Sequence, residues 1–496
     1  MSGTWLAHLP ALLVMMPLMA APLCVLLRRP LLAWAVYQLT TGVGLLLSIA
    51  LLLQVIEVGV VRYAIGGWAP PVGIEYRIDA LNALVLVIVS GMAALLAPYA
   101  RASVAREIDA DRAYLFYALL LLCQCGLLGI AATGDAFNLF VFLEISSLSA
   151  YALIAMGRHR RALMAAFEYL VMGTIGGTFL LIGIGLMYMM TGTLNMADLA
   201  ERLPAVMHTR TIEAALAFIV VGASLKLALV PLHAWLPGAY GEAPSVVSAF
   251  LAATATKVAV YVLARFLFTV FGIGFAFGTL PLGDILMLLS VAAMLYGAVA
   301  AIFADDLKRV LAWSSVGQIG YIVLGLSLAT FDGLTASALH LFNHALIKGG
   351  LFAMAGLLML QVGGTRMADL AGLARRLPGL FVLLLIGGLG LVGVPLTAGF
   401  VSKWALAQAL IAEAQWLPLI AMLVSSLLAL VYVGRMIEIA WFREPPEDAP
   451  AATPTPLAMT LTAWTLVAVS LWVAVDSGPL LGLAQAAATA ALGVTP

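Results

Sequence analysis

Leu339-His340-Leu341-Phe342-Asn343-His344-Ala345-Leu346-Ile347-Lys348-Gly349-Gly350-Leu351-Phe352 sets two histidines and a lysine at spacings of four inside an apolar run. On an α-helix that spacing stacks the three groups on one face, over roughly 12 Å at about 1.5 Å per residue. Gly349-Gly350, directly after the lysine, predicts a loosening of the helix. A protonatable stripe that ends at a break, at membrane depth, is suited to passing protons.

The surrounding chain establishes the depth. Its 496 residues are 64% apolar and 10% charged, with a mean hydropathy of +1.11. Soluble proteins carry about 25% charged residues, so this is an integral membrane protein. A net charge of zero removes any electrostatic basis for nucleic-acid binding. Cys24, Cys123 and Cys125 lie in apolar runs, and no further Cys or His stands at a zinc spacing, so no metal site is expected. The run from Leu9 to Leu27 has no positive charge before it and Arg28-Arg29 after it. That pattern predicts an uncleaved first span with the N-terminus outside.

Apolar runs long enough to cross a ~30 Å hydrocarbon core fall near 5–27, 31–56, 79–100, 113–133, 136–156, 163–191, 212–237, 244–271, 279–304, 309–330, 333–362, 379–412, 415–441 and 457–475, which makes fourteen spans. Alternate connections then hold Arg28, Arg29, Arg101, Arg106, Arg112, Arg158, Arg160, Arg161, Lys308, Arg309, Arg366, Arg375, Arg376, Arg435 and Arg443. The opposite connections hold only Arg62, Arg77, Arg202 and Arg210. The excess of basic residues predicts the cytoplasmic side and returns the C-terminus outside. Between Arg62 and Asp79, Gly66-Gly67-Trp68-Ala69-Pro70-Pro71 precedes the alternating Val72-Gly-Ile74-Glu-Tyr76-Arg-Ile78, a pattern for a small outer hairpin bridging loops or subunits. Glu444 to Pro456 reads as a linker before the last span.

Charge inside the spans carries the functional reading. Of five lysines, Lys226, Lys257, Lys348 and Lys403 fall within spans, and only Lys308 is expected in a loop. A charge at the bilayer centre costs ~2.5–3.5 kcal/mol, which packing alone does not require. Desolvation makes a lysine easier to deprotonate, whereas arginine stays charged. Glu144 is the carboxylate well inside a span, and His233 adds a site in Pro231-Leu-His233. One carboxylate cannot neutralise four lysines. Other charges read as structural: Arg265, Arg435 and Glu438 reach an interface, Glu168 meets Arg158, Arg160 or Arg161, and Glu57, His8 and His159 are interfacial.

Two spans are interrupted. Pro231 and Pro237 follow Lys226 in the seventh, and Gly393-Val-Pro395-Leu-Thr-Ala-Gly399 precedes Lys403 in the twelfth. Freed backbone groups are tolerated at depth only where protein or a hydrated cavity satisfies them. Five helices separate the breaks, so their spans run in opposite directions, as an inverted repeat of spans 4–8 and 9–13 produces. The expected fold is an all-α polytopic membrane protein with helices 1–3 and the hairpin in 1–100, repeats in 101–278 and 279–443, and a linker and last helix in 444–496.

Asn138-Leu-Phe-Val-Phe-Leu-Glu144, Leu225-Lys226-Leu-Ala-Leu-Val-Pro231-Leu-His233-Ala-Trp-Leu-Pro237, Ala255-Thr-Lys257-Val, Leu307-Lys308-Arg-Val-Leu-Ala-Trp-Ser-Ser-Val-Gly-Gln318, the His340/His344/Lys348 stripe and Gly393-Val-Pro395 with Lys403 resemble the antiporter-like subunits of respiratory complex I. The same family includes the Mrp cation/proton antiporter subunits and their counterparts in membrane-bound hydrogenases. The resemblance covers residues 79 to 442. Thr191-Gly-Thr-Leu-Asn195-Met-Ala-Asp198-Leu and Trp235-Leu-Pro-Gly-Ala-Tyr240 look most like the D-type Mrp subunit or its hydrogenase relatives. His233 is closer to complex I, and the twelfth-span charge is lysine where some family members have glutamate.

The resemblance implies that Glu144 pairs with Lys226 and holds it protonated. A swing of Glu144 toward a neighbouring subunit would release that proton to Lys257, to His340, His344 and Lys348, and out at Lys403, with His233 as a lateral or input relay. It implies a plasma-membrane subunit of a hetero-oligomer, with other membrane subunits, the lipid bilayer, H+ and optionally Na+ as partners. No cofactor is expected: the chain shows no Gly-rich nucleotide loop, haem ligand pair or Fe–S cysteine set. The competing readings are a structural anchor without transport of its own and a quinone-reducing subunit.

Overall fold

The computed structural model describes residues 7–445 and 455–493. Two helices open the chain, α1 (Leu9–Leu27) and α2 (Pro30–Val58), followed by the antiparallel strands β1 (Val61–Ala64) and β2 (Glu75–Ile78). A first group follows: α3 (Ala80–Glu107), α4 (Ala113–Ala132), α5 (Ala136–Ala155), α6 (Arg160–Thr191), the short α7 (Met196–Arg202), α8 (Arg210–Leu227), α9 (Trp235–Glu242) and α10 (Ser245–Ala264). A second comprises α11 (Leu282–Phe303), α12 (Leu307–Ser327), α13 (Phe331–Val362), the short α14 (Leu373–Arg376), α15 (Pro378–Val392), α16 (Ala398–Ala412) and α17 (Trp416–Phe442). The chain closes with α18 (Leu457–Val475) and α19 (Gly478–Leu492). Among the described residues, 12 helices are long and apolar enough to cross a membrane. The interrupted pairs α8–α9 and α15–α16 complete the fourteen expected spans.

Polar side chains at the loop ends start these helices. Asp79 accepts from the amides of Leu81 and Asn82 at 3.0 and 3.2 Å, and Asn82 answers by accepting from the Asp79 amide at 2.9 Å, a reciprocal cap for α3. Asp135, Asp306 and Thr330 cap α5, α12 and α13 in the same one-way manner. Gly192 and Gly363 end α6 and α13 at φ of 73° and 83°, a backbone conformation that costs glycine little.

The two groups repeat each other. Helices α6 and α13 are both 32 residues long and end on those two glycines. The sequence after each glycine is nearly the same, Met196-Ala-Asp-Leu-Ala200 against Met367-Ala-Asp-Leu-Ala371. Asp135 forms an antiparallel bridge with Asn195, and Asp306 forms its counterpart with Arg366. Helix contacts correspond too: a Cβ on Gly126 of α4 would stand 2.5 Å from the Ser146 amide of α5, and one on Gly297 of α11 2.6 Å from the Gly317 amide of α12. Small residues of this kind let membrane helices approach closely, where burial from water supplies no drive. One bridge lies on the hairpin face, where the Gly134 amide donates to Glu75 at 2.9 Å. The other lies on the opposite, arginine-rich face, where Arg435 meets Asp305 at 2.8 Å. Matching features on opposite faces are those of inverted repeats.

The hairpin bridges loops, as expected: β2 pairs through Tyr76 with Thr133, and Asn195 donates to the Glu75 carboxylate at 2.8 Å.

Several expectations fail for physical reasons. Helix α13 runs unbroken through Gly349-Gly350. A Cβ there would meet Met92 Sδ at 3.2 Å from Gly349 and Val467 at 3.5 Å from Gly350, so the pair serves close packing against α3 and α18. Lys308 is the second residue of α12, buried, with its ammonium on the Ala243 carbonyl. Arg265 is structural, as expected, but it does not extend to solvent: it is buried and bound to Asp79 at 2.9 Å, stacked over Tyr261. Glu168 is exposed and forms no ion pair with an arginine among the described residues. Pro237 lies within α9 and interrupts nothing. Beyond the fourteenth span the chain forms α19, which packs on α3 and α13. Most of the predicted linker, residues 446–454, lies outside the described residues.

The Asp79–Arg265 pair joins the start of α3 to the end of α10, and Arg265 also donates to Asn82 at 2.8 Å. Burial alone would raise the Asp79 carboxyl, but the Arg265 guanidinium and the capping amide hold it below its ordinary value. Its stabilisation is therefore full above the unfolded carboxylate pKa of about 3.9 and is lost as pH falls through the lower folded value. Asp79→Ala strands the guanidinium. Thermal unfolding in detergent at pH 7 is expected to show a loss of about 3–5 kcal/mol, whereas Glu57→Ala, at an exposed helix end, leaves the melting temperature unchanged.

Candidate functional site

The ionisable groups inside the spans gather along α5, α8, α10, α13 and α16, with α12 supplying neutral partners among them. Lys226 sits in the last turn of α8, where the helix ends and the chain unwinds to Trp235. Trp235 uses its indole N–H to satisfy the freed Leu225 carbonyl at 2.9 Å. The Lys226 ammonium donates to Ser147 Oγ at 2.8 Å and stands 3.8 Å from Glu144 Oε1. That separation is an ion pair without a hydrogen bond. The Glu144 side chain remains 25% exposed on the α5–α6 flank. It is held against α6, where a Cβ on Gly177 would come within 2.3 Å of Glu144 Oε1.

Lys257, buried on α10, donates to the Ala252 carbonyl of its own helix. On α13, Lys348 donates to Leu311 O at 2.6 Å and to Ser314 Oγ, both on α12. His344 lies one turn away, its ring parallel to that of His340 at 6.0 Å between centroids. Neither ring nitrogen of His344 has a hydrogen-bond partner in the protein.

His340 is tied on both sides. Its Nδ1 lies 2.8 Å from Ser402 Oγ and its Nε2 2.9 Å from Gln318 Oε1. The Gln318 amide donates to the Leu391 carbonyl at 3.4 Å, so its oxygen faces the ring. Neutral His340 thus carries its proton on Nε2 and accepts from Ser402 at Nδ1. Leu391 also accepts from Lys403 at 2.9 Å, and Val392 does so at 3.0 Å. These are the carbonyls that the break between α15 and α16 frees. Lys403 completes its shell with Ser426 Oγ at 3.1 Å and the Tyr321 ring at 4.4 Å. The break is shaped by Gly399, whose Cβ would fall 1.9 Å from the Gly390 carbonyl.

His233 stands apart from this row. It lies beside Tyr296 of α11 and Trp313 of α12, at 5.0 and 5.5 Å between rings, and its Nδ1 has no protein partner. Sequence reading missed Gln318, Ser402, Ser314, Ser147 and Ser426, the neutral groups that connect the charged ones. Gln318 alone carried a signal, as a buried amide within a quoted motif. Among the described residues no cluster of His, Cys, Asp or Glu has the spacing of a metal site.

The chain is similar to known proteins over most of its length. Positions 133–429 match the family described as NADH:quinone oxidoreductase/Mrp antiporter, TM. The N-type subunit of the NADH-quinone oxidoreductase of Desulforudis audaxviator (strain MP104C) is 44% identical over 463 residues, covering 91% of this chain and 90% of that protein. The D-type subunit of the Na(+)/H(+) antiporter of Bacillus subtilis (strain 168) is 28% identical over 435 residues, 88% of this chain and 87% of that one. A chain of the Mrp complex from Dietzia sp. DQ12-45-1b matches with a TM-score of 0.90 at 27% identity, over 99% of this chain and 98% of its own. A chain of the membrane-bound sulfane sulfur reductase, an archaeal respiratory membrane complex, gives a TM-score of 0.90 at 31% identity over 98% of both. The family match and these relatives show that the chain belongs to the NADH:quinone oxidoreductase/Mrp antiporter transmembrane family.

Proposed function

We propose that this chain is the proton-translocating, antiporter-like subunit of a multisubunit membrane complex, and that protons move along Glu144, Lys226, Lys257, Lys348, His344, His340 and Lys403. The observation that carries the reading is the buried row of four lysines with a single carboxylate among them. A scaffold of ion pairs would match charge with charge, whereas this row meets its ammonium groups with carbonyls and hydroxyls that accept equally well from a neutral amine's N–H groups. The row suits a proton and not Na+. A metal cation needs oxygen ligands and finds ammonium groups at most positions, while each lysine and histidine binds and releases H+ directly.

The start of the path is the Glu144–Lys226 pair. At 3.8 Å the carboxylate favours the ammonium without being fixed to it, and its exposed edge faces the surface where a neighbouring subunit would bind. Movement of Glu144 toward that neighbour removes the charge that holds the Lys226 proton. Gln318 and Lys403 both donate to the Leu391 carbonyl, so Gln318 fixes the His340 ring beside Lys403. Because a carbonyl only accepts, the last transfer from His340 to Lys403 passes through a bridging water. His344 is the one relay member without a protein partner, so transfer through it requires a bridging water. His233, outside the row, is assigned to lateral or input transfer between the repeats. The hairpin face is read as the outer side, and residues 101–278 and 279–443 as the two repeat units. On this reading the driving reaction belongs to companion subunits.

Glu144→Gln, Lys226→Ala and Lys403→Ala in the assembled complex are each expected to abolish proton movement in vesicles followed by a pH-sensitive dye, with the complex still assembled. Normal transport in all three would make the chain an anchor. Gln318→Leu tests the newly found link: proton flux is expected to fall about ten- to a hundredfold, since stranding a buried hydrogen-bonding group costs about 1–3 kcal/mol. Flux equal to that of the unaltered complex would remove Gln318 from the path.

A further inference from the structure

A cavity of about 490 Å³ opens on the arginine-rich face, between the start of α2, the last turns of α3 and the start of α4. None of the residues of the lysine row lines it. Its volume falls within the roughly 300–1,000 Å³ of small-molecule sites. Leu31, Ile108 and Tyr117 give it an apolar wall. Arg101, from α3, and Arg158, from the α5–α6 connection, both line it and both are exposed. Among the described residues neither arginine forms an ion pair.

The arrangement is ordered from one side. The Trp34 indole N–H donates to the Ala97 carbonyl at 2.9 Å, which fixes the ring, and the Arg101 guanidinium lies 5.0 Å from its centroid. Tryptophan at this level is characteristic of the membrane–water boundary. Asp109 also lines the cavity and opposes an anion there, but one carboxylate leaves two guanidinium groups with a positive balance. Planar guanidinium forks bind phosphate oxygens in pairs, and an apolar wall directly below them accepts hydrocarbon. A free anion would use only the first of these features, and a zwitterionic lipid would bring its own cation to the arginines.

We propose that this cavity binds an anionic diacyl phospholipid, its phosphate between Arg101 and Arg158 and an acyl chain along Leu31, Ile108 and Tyr117. Basic pockets between membrane helices are suited to such headgroups. The site joins α2 to α3 and α4 at a place where α2 itself is largely exposed, so the lipid also acts as a lateral brace for that helix.

The test uses the full chain, purified and delipidated, with phosphatidylglycerol, phosphatidylcholine of the same acyl chains, or inorganic phosphate added, and binding read by native mass spectrometry. Phosphatidylglycerol is expected to bind roughly 30-fold more tightly than phosphatidylcholine, from about 1 kcal/mol per arginine near the surface. R101Q/R158Q is expected to bring it to the level of phosphatidylcholine, while R106Q/R112Q, on the same face but outside the cavity, keeps the preference. If the double variant does not fold, R158Q in the connecting loop is expected to lose about fivefold on the same scale. Equal binding of the two lipids, or a preference that survives R101Q/R158Q, overturns the proposal. Displacement of the lipid by equimolar inorganic phosphate overturns it in favour of a free-anion site. A cavity filled by a neighbouring subunit in the purified assembly, with no lipid retained, overturns it in favour of a protein contact.

Discussion

An ammonium group taken to mid-membrane must be met by protein oxygen, and much of this structure is arranged by where that oxygen comes from. Ordinary helices hold their carbonyls in their own hydrogen bonds, so a lysine placed among them finds few acceptors. Three solutions occur. Lys226 has a neighbouring helix's hydroxyl and carboxylate. Lys348 and Lys257 share carbonyls that remain in helices, with Ser314 added for Lys348. Lys403 has two carbonyls released by a broken helix. The break in the twelfth span is therefore part of the Lys403 site, and the glycine at its far edge keeps the two helix ends close enough to form it.

The inverted repeats meet that constraint differently. Ser147 on α5 accepts from Lys226, and Gln318 holds the corresponding region of α12 beside His340. The first repeat thus presents a carboxylate on its outer flank, and the second an amide wholly inside. A carboxylate on the flank can respond to a neighbour. An amide inside fixes the ring it meets. The same backbone plan, held by Gly126 in one half and Gly297 in the other, carries a carboxylate on the flank of the first half and an amide inside the second.

Much of the fold was legible because it rests on strong signals. Apolar run length gave the spans, Gly and Pro the hairpin and the breaks, and the cost of buried charge singled out Glu144 and the lysines. The connecting groups were not legible, since Ser and Gln at depth carry little cost and look like ordinary helix-facing polar residues. Gly349-Gly350 was misread because a glycine pair for flexibility and one for close approach look the same until Met92 and Val467 are seen against them. The Met-Ala-Asp-Leu-Ala repeat was legible but passed over. It marks the turn after the long helix in each half, a place where both repeats have the same local geometry. Lys308 was assigned to a loop by its sequence position, and only the α9–α10 junction shows the carbonyl that draws it inward.

The close packing that holds the helices together also limits how a proton can cross. Glycine contacts between α4 and α5, α11 and α12, and α6 and α8 hold those helix pairs close, while a cavity of about 30 Å³ lined by Ser147, Lys226 and Ala255 has room for water beside the first lysine. The proposed path then alternates side chains with water where successive side chains do not touch. His340 is held at both nitrogens and has one defined tautomer, while His344, stacked beside it, is held at neither. A transfer between the two requires the His344 side to acquire a donor or acceptor first. That makes the His340–His344 step conditional, and a conditional step at the centre keeps a path lined by lysines from acting as an open leak across the membrane.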